Sequence, residues 1–397
     1  MPIYRTTLVN FTVFERAEFE FSRGINVLIG KNGTGKSHLL KALYGMTEGS
    51  RQAYGNNDVI PGISRKLIAE SAQKAAMKND LEQRYAPAIA RGAAFKIFFA
   101  ELYLSANSKR DLEIVDKALI RNCNQDSKAE KMTFLSCGFS KQVEEDFISV
   151  QFGEKIPPIT SLIDAFAFQD MPLFLRARPI FLPPREVLTM YPGFTALYKK
   201  RQISFDHSYY ELCEALSMPL LREVSPTFSQ VLASLELAIG GRAVLRGDRF
   251  AIERKDGEID ANLEAEGLRK LAMIAHLIAN GSLEPGGYLF WDEPEANMNP
   301  KLVVLIKDLL VGLAKAGVQV FIATHDYLLC SELSLFSEYA SAEDKDLVKF
   351  FCLNKEKHTD PVTVESGAVL ADLSHNPIME EFTAHYEREA KLFAEKR

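Results

Sequence analysis

The chain has 397 residues, 47% hydrophobic and 25% charged, ordinary globular usage that excludes a wholly disordered, collagen-like or coiled-coil protein. Its length suits one large domain with an insertion, or two domains. The formal charge of −6, from 47 basic and 53 acidic residues, supplies no global positive field for nucleic acid, so any such partner has to be argued locally.

The five cysteines, Cys123, Cys137, Cys213, Cys330 and Cys352, are scattered, with no Cys-x-x-Cys pair and no zinc-like histidine spacing, as in a reducing compartment. The start, Met-Pro-Ile-Tyr-Arg, lacks an apolar leader. Lys307 and Asp308 interrupt the apolar stretch from Leu302 to Ala314, well short of the ~20 residues a membrane span needs. A cytoplasmic protein with no membrane partner is expected.

In chain order, Ala17 to Phe21 alternate as an amphipathic strand and Ile25 to Ile29 form a buried one that runs into glycines. From Lys36 the spacing of Leu39, Leu40 and Leu43 predicts a helix, stopped by Gly45. From about Thr47 to about Glu130 the sequence is polar and helix-compatible, with a strand-like island at Ala94 to Leu104. Between Arg51 and Asp146 stand 15 basic and 13 acidic residues, a solvated balance and not a nucleic-acid groove.

Prolines at 157, 158, 172, 179, 183 and 184 then break the chain into short extended pieces. A helix over Tyr209 to Leu221 follows, then a hairpin of Arg242 to Leu245 and Arg249 to Arg254 around Gly247-Asp248. The next segments alternate: helix Gly267 to Asn280, strand Gly287 to Trp291, helix Pro300 to Ala316 and strand Val318 to Ala323, the pattern of a parallel sheet covered by helices. After Asn376-Pro377, Ile378, Met379, Phe382, Tyr386 and Phe393 mark an amphipathic terminal helix, either packed or free to dock a partner.

Gly30-Lys31-Asn32-Gly33-Thr34-Gly35-Lys36-Ser37 fits G-x-x-x-x-G-K-[ST] without mismatch, between a buried strand and a helix start, and His38 follows it. Glycines there let backbone N–H groups turn toward a β-phosphate, Lys36 reaches the β- and γ-phosphates, and Ser37 is a ligand for Mg²⁺. Tyr288-Leu289-Phe290-Trp291-Asp292-Glu293 is an apolar strand ending in two carboxylates. Asp292 then belongs to the metal's surroundings and Glu293 is the general base for a water attacking the γ-phosphate. The lone tryptophan, beside Asp292, should report nucleotide by fluorescence. No Asn-Lys-x-Asp base-reading motif is found, so ATP is preferred to GTP. Thr324-His325-Asp326 closes the next strand, and His325 there can meet a γ-phosphate oxygen or the attacking water. The adenine-stacking residue stays open among Tyr4, Phe11 and Phe14, and a glutamine loop between Gln151 and Gln169.

This ordered set, a phosphate loop, Asp-Glu-Pro-Glu and then Thr-His-Asp about 30 residues on, resembles the ABC-type ATPase heads of the RecF and SMC group, and more closely the AAA-type ATPases related to OLD proteins. The resemblance covers the first 45 residues and roughly 260 to 330, and more weakly Pro179 to Phe194 with its Leu182-Pro183-Pro184-Arg185. It implies an α/β fold, a mixed sheet flanked by helices, with the head built from residues 1–50 and 160–397 and a largely helical insertion with some strands at 51–159. It also implies a signature segment that caps ATP held by a second subunit. The matching residues, Glu264-Ala265-Glu266-Gly267-Leu268-Arg269-Lys270, lack the signature serine but leave Gly267 and Arg269 to serve that nucleotide. A carboxylate at Glu266 is tolerable beside phosphate only if it points away.

An ABC transporter subunit would carry an intact Leu-Ser-Gly-Gly-Gln, an SMC protein hundreds of residues of coiled coil, and an OLD nuclease a sizeable TOPRIM domain after the histidine, where only 71 residues follow Asp326. The chain thus resembles the stand-alone ATPase subunits of bacterial anti-phage systems such as PARIS and Septu. The resemblance implies a Mg·ATP switch that forms a homo-oligomer through nucleotide-sandwiched heads and controls a separate effector, a nuclease or toxin. A RecF-like DNA-repair or maintenance ATPase that binds DNA directly stays open beside it, as does a nucleotide-gated scaffold that scarcely hydrolyses.

Overall fold

The structure, a computed structural model, describes residues 2–55, 132–138, 147–153, 177–201, 203, 205–357 and 360–395. The chain opens with a hairpin, β1 (Arg5–Phe11) and β2 (Phe14–Glu20), then β3 (Ile25–Gly30) and α1 (Lys36–Gly55). After β4 (Met132–Gly138) and β5 (Phe147–Gly153) come β6 (Ile180–Leu182), α2 (Phe194–Arg201), α3 (His207–Leu216) and α4 (Pro226–Ile239). A meander of β7 (Arg242–Arg246), β8 (Arg249–Arg254) and β9 (Gly257–Asp260) leads into α5 (Glu266–Ala279). The rest alternates: β10 (Tyr288–Asp292), α6 (Pro300–Lys315), β11 (Gln319–Ala323), α7 (Tyr327–Glu338), β12 (Val348–Asn354), β13 (Thr363–Gly367) and α8 (Pro377–Glu395).

Six strands make the main sheet in the order β13-β12-β3-β11-β10-β6, parallel except for β13. Alternation along β3, β10 and β11 sends two sets of side chains to two faces. Ile25, Val27, Leu289, Trp291, Val320 and Ile322 join the core formed with the helices α3 to α7. On the other face Phe290 meets Tyr44 of α1 at 6.0 Å and Phe321 at 5.0 Å. Phe321 in turn meets Phe21, just beyond β2, at 5.0 Å, and Phe21 meets Phe351 of β12 at 5.3 Å. This aromatic chain seats the second sheet, antiparallel β2-β1-β4-β5, on the first. The result is a mixed sheet flanked by helices, and among the described residues no helix is long and apolar enough to cross a membrane.

One expectation is corrected and two are extended. Gly45 does not stop α1, which runs to Gly55. Residues 42–49 of the helix are buried, and that packing outweighs the roughly 1 kcal/mol a helical glycine costs. Within the segment read as an insertion, β4 pairs onto β1 (Leu135 opposite Leu8) and β5 onto β4, so the strands expected there join the second sheet. The hairpin around Gly247 (φ +64°) forms as expected but gains a third strand, β9, whose polar residues hid it. The island at 94–104 lies outside the described residues.

The aromatic seam predicts a thermodynamic result. Phe21→Ala removes the ring that joins both sheets and should cost about 3–5 kcal/mol in urea unfolding. A loss under about 1 kcal/mol would mean the sheets do not depend on that contact.

Candidate functional site at the C-terminal edge of the sheet

Parallel pairing brings the ends of β3, β11, β10 and β6 to one edge. Leu28 is level with Ala323, Ala323 with Asp292, and Trp291 with Leu182. The phosphate loop, Thr324-His325, Asp292-Glu293 and Pro183-Pro184-Arg185 therefore leave the sheet side by side.

The loop itself is held by local forces. Gly30 sits at φ +148°, and a Cβ there would lie 2.4 Å from the Leu353 carbonyl oxygen, so only glycine lets the strand turn. Gly35, at φ +95°, packs where a Cβ would strike Val13 and Phe14 of the β1–β2 turn. Thr34 Oγ1 donates to the Lys31 carbonyl (2.8 Å) and Lys36 Nζ donates to the carbonyls of Gly30 (2.8 Å) and Lys31 (3.0 Å). Burial pushes the Lys36 pKa down to about 8, opposed by Asp292, Glu293, Cys352 and Glu295. Lys31, Asn32, Gly33 and His38 are exposed around this cradle.

Asp292 is buried, and burial raises its pKa. The nearby Ser37 hydroxyl opposes the rise, Glu293 adds to it, and Lys41 and Lys36 again oppose it. A hydroxyl close to a carboxylate, beside a cationic loop, makes an all-oxygen donor set of the kind that suits Mg²⁺ with phosphates. Glu293 takes a left-handed φ of +51°, a strain of about 1–3 kcal/mol of the kind that marks functional turns. Its N–H donates to the Ala323 carbonyl at 2.9 Å, which fixes the turn against β11.

Several holding residues were not legible in the sequence. Glu295 Oε1 accepts from Thr324 Oγ1 (2.8 Å) and from the His325 N–H (3.0 Å), which clamps the carboxylate turn to the histidine turn. Its Oε2 is buried with no hydrogen-bond partner, and burial raises its pKa. Lys270 is fully buried on α5 and donates to the carbonyls of Ala296 (2.8 Å) and Glu293 (3.4 Å). The apolar spacing of α5 gave no sign that a lysine would point inward. Asp326 serves as N-cap of α7, accepting from the Leu329 N–H at 2.6 Å, while the exposed His325 keeps a pKa lowered by desolvation and by Lys36.

The signature segment is held by contacts within its own chain. Arg269 is engaged within its own chain, Nε to Glu186 Oε1 at 2.8 Å and Nη1 to the Glu264 carbonyl at 2.5 Å. Gly267 is buried, and a Cβ there would lie 3.0 Å from Leu302, so packing against α6 is what requires the glycine. Glu266 does turn aside: its Oε1 accepts from Asn297 Nδ2 at 2.9 Å. Ala265 is the N-cap of α5 and leaves the helix's first N–H groups without a side-chain cap.

Of the stacking candidates, Phe11 and Phe14 are fully buried and belong to the core, while Tyr4 lies before β1 beside Ser22, Arg23 and Asp346, at the end of β3 away from the phosphate loop, so none of the three presents an open ring to the site. Gln151 lies on β5, paired with Phe134, and Gln169 falls outside the described residues. Trp291 is fully buried beside Asp292, its indole Nε1 without a partner. Asp344-Lys345-Asp346 has Asp-x-Asp spacing, but Asp344 pairs with Lys315 at 2.7 Å, and no group of three His, Cys, Asp or Glu among the described residues could hold a metal.

Residues 1–207 match the family described as AAA ATPase domain, and residues 218–331 one described as "AAA domain, putative AbiEii toxin, Type IV TA system". No curated protein matches the chain. Among solved structures it is similar to an SMC head bound to the C-terminal winged-helix domain of ScpA, at 16% identity and TM-score 0.46 over 94% of this chain and 99% of that one. An SMC head domain from Thermotoga maritima matches at 12% identity and TM-score 0.42, over 92% and 98%. An Smc head with an extended coiled coil, bound to the C-terminal domain of ScpA derived from Pyrococcus furiosus, matches at 13% and 0.44, over 98% and 99%.

Two results test this geometry. Because a phosphate favours the charged form of Lys36, ATP affinity should be level below about pH 7 and fall up to about tenfold per unit above pH 8, with proton uptake on binding in calorimetry. Affinity unchanged to about pH 9 would contradict the depressed lysine. Glu295→Ala should lower ATP turnover by about tenfold or more, while Glu295→Gln, which keeps an acceptor, should retain most of it. Equal turnover in the two variants would remove the clamp from the account.

Proposed function

This chain belongs to the AAA ATPase domain family, and from that premise we propose that it is a Mg·ATP-hydrolysing switch subunit that controls a separate effector. The observation that carries the reading is the meeting of Lys36, Ser37, Asp292, Glu293 and His325 at one sheet edge.

Lys36 holds the β- and γ-phosphates, exchanging the carbonyls of its own loop for phosphate oxygens. Ser37 and Asp292 are the residues that would hold Mg²⁺, which supplies charge neutralisation across the phosphates when bound. Glu293 orients the attacking water and takes its proton, its carboxylate aimed by the left-handed turn. His325, neutral at pH 7 given its lowered pKa, donates a hydrogen bond to a γ-phosphate oxygen and senses its departure. The Glu295 clamp then transmits that change to the turn that carries Glu293.

Assembly follows from α5. Its uncapped N-terminal N–H groups, next to Gly267, suit the phosphate of a nucleotide on a second copy, giving a homo-oligomer closed by ATP. Arg269 contributes as a strut to Glu186 and not as a free cation. The similarity of residues 218–331 to a family described as a putative type IV toxin–antitoxin AAA domain supports a defence role with a toxin or nuclease as the controlled effector, in a bacterial cytoplasm.

Lys36→Ala should abolish ATP binding, whereas Glu293→Gln should bind ATP and turn over about 10²–10⁴-fold more slowly. Unchanged turnover in either variant would refute the assignment. Tagged Glu293→Gln protein, purified with Mg·ATP from its native host, should carry a stoichiometric nuclease or toxin-like protein in a multi-subunit particle. A bare homodimer carrying DNA would instead favour a DNA-maintenance ATPase.

A further inference from the structure

We infer that Arg185 is a second phosphate-binding cation of this site, supplied by the same chain from the edge of β6 to meet the terminal phosphate on the side away from the phosphate loop. The inference rests on the nucleotide reading above and adds a residue to it.

Position comes first. β6 pairs in parallel with β10, Leu182 level with Trp291, so the chain leaves β6 beside the point where Asp292 and Glu293 leave β10. Pro183 and Pro184 offer no backbone N–H to a ladder, which ends the strand there and carries Arg185 off the sheet at this edge. Adjacent strands are about 4.8 Å apart, well within the reach of an arginine side chain. Tyr209 of α3 connects the same groups: burial raises its pKa, with Asp206, Arg185 and Asp292 all contributing to its field. Arg185 and Asp292 are thus electrostatic neighbours of one hydroxyl.

Availability comes second. The other cations around this edge are engaged: Lys41 with Asp206 at 2.9 Å, Arg269 with Glu186 at 2.8 Å, and Lys36 and Lys270 on backbone carbonyls. Arg185 is exposed and, like Lys31 in the loop, makes no ion pair or side-chain hydrogen bond among the described residues. Its neighbour Glu186 is fully occupied, taking Arg269 and Thr189, so Arg185 is not held back by the carboxylate beside it.

The chemistry calls for such a group. Asp292, Glu293 and Glu295 crowd three carboxyls near a polyphosphate, and Lys36 is the loop's one buried cation. A planar guanidinium can bind two oxygens of a terminal phosphate at once and stabilises the charge that builds there during transfer. ADP offers no γ-phosphate, so the residue should distinguish the two nucleotides. Among the described residues none of the four strand ends carries a glutamine that could take this position.

The test compares wild type, Arg185→Ala and Arg185→Lys in steady-state hydrolysis and in calorimetric titration with ADP and a non-hydrolysable ATP analogue. Arg185→Ala should lower kcat by about 100-fold or more and weaken the analogue by about tenfold, with ADP affinity within about threefold of wild type; Arg185→Lys should recover only part of kcat. The melting temperature should not move, because no contact is lost. Turnover in Arg185→Ala within about threefold of wild type, or an equal loss of ADP and analogue binding, would overturn the role of Arg185. Wild-type protein that binds neither nucleotide would overturn the ATP reading beneath it.

Discussion

Parallel hydrogen bonding among β3, β11, β10 and β6 is the constraint on which the site depends. Parallel strands in register end at nearly the same level, and here Leu28, Ala323 and Asp292 share one level, with Leu182 opposite Trp291 one residue before it and Gly30 two residues past Leu28. Residues far apart in sequence, a lysine at 36, an arginine at 185, carboxylates at 292 and 293 and a histidine at 325, are delivered to one edge by backbone pairing alone. The core beneath, with Trp291, Ile322 and Val27 on one face and Phe290 and Phe321 on the other, keeps the register from slipping, since a one-residue shift would reverse both faces.

Around that edge the charges are managed by burial and by backbone. Lys36 and Lys270 both rest on carbonyl oxygens, and burial lowers the pKa of each. Asp292 and Glu295 are shifted the opposite way by the same desolvation. Each of these groups therefore sits in an environment that its usual charged form tolerates poorly, a cost that a bound polyphosphate with a divalent cation would relieve. The strained turn at Glu293 belongs to the same set: Ala323 holds it from one side and Lys270 from the other, so a movement of either α5 or the histidine turn reaches the carboxylate.

The sequence made the phosphate loop legible because its chemistry is local: glycines, lysine and serine are contiguous and their roles need no partner. The carboxylate strand and the histidine turn were legible through order and apolar runs, and α5, β10, α6 and β11 fall within a residue or so of the pattern. What escaped is non-local. Nothing about Gly45 announces that α1 is buried around it, and nothing in Met132 to Gly153 tells that these strands belong beside β1. The pairing of Arg269 with Glu186 spans 83 positions, and it changes the meaning of a residue whose local motif suggested a free cation. Asp326 was legible as an acid after a histidine, but only the structure shows it as the cap of α7.

The central claim is that Ser37 and Asp292 form, with ATP, one divalent-cation site on the sheet edge. Electron paramagnetic resonance with Mn²⁺ in place of Mg²⁺ reads this directly, since phosphorus couplings appear only when metal and phosphate are bound together. The account predicts one ATP-dependent Mn²⁺ per chain with phosphorus couplings, lost in Asp292→Asn and weakened in Ser37→Ala. Mn²⁺ binding that is indifferent to ATP, or unchanged in Asp292→Asn, would contradict it.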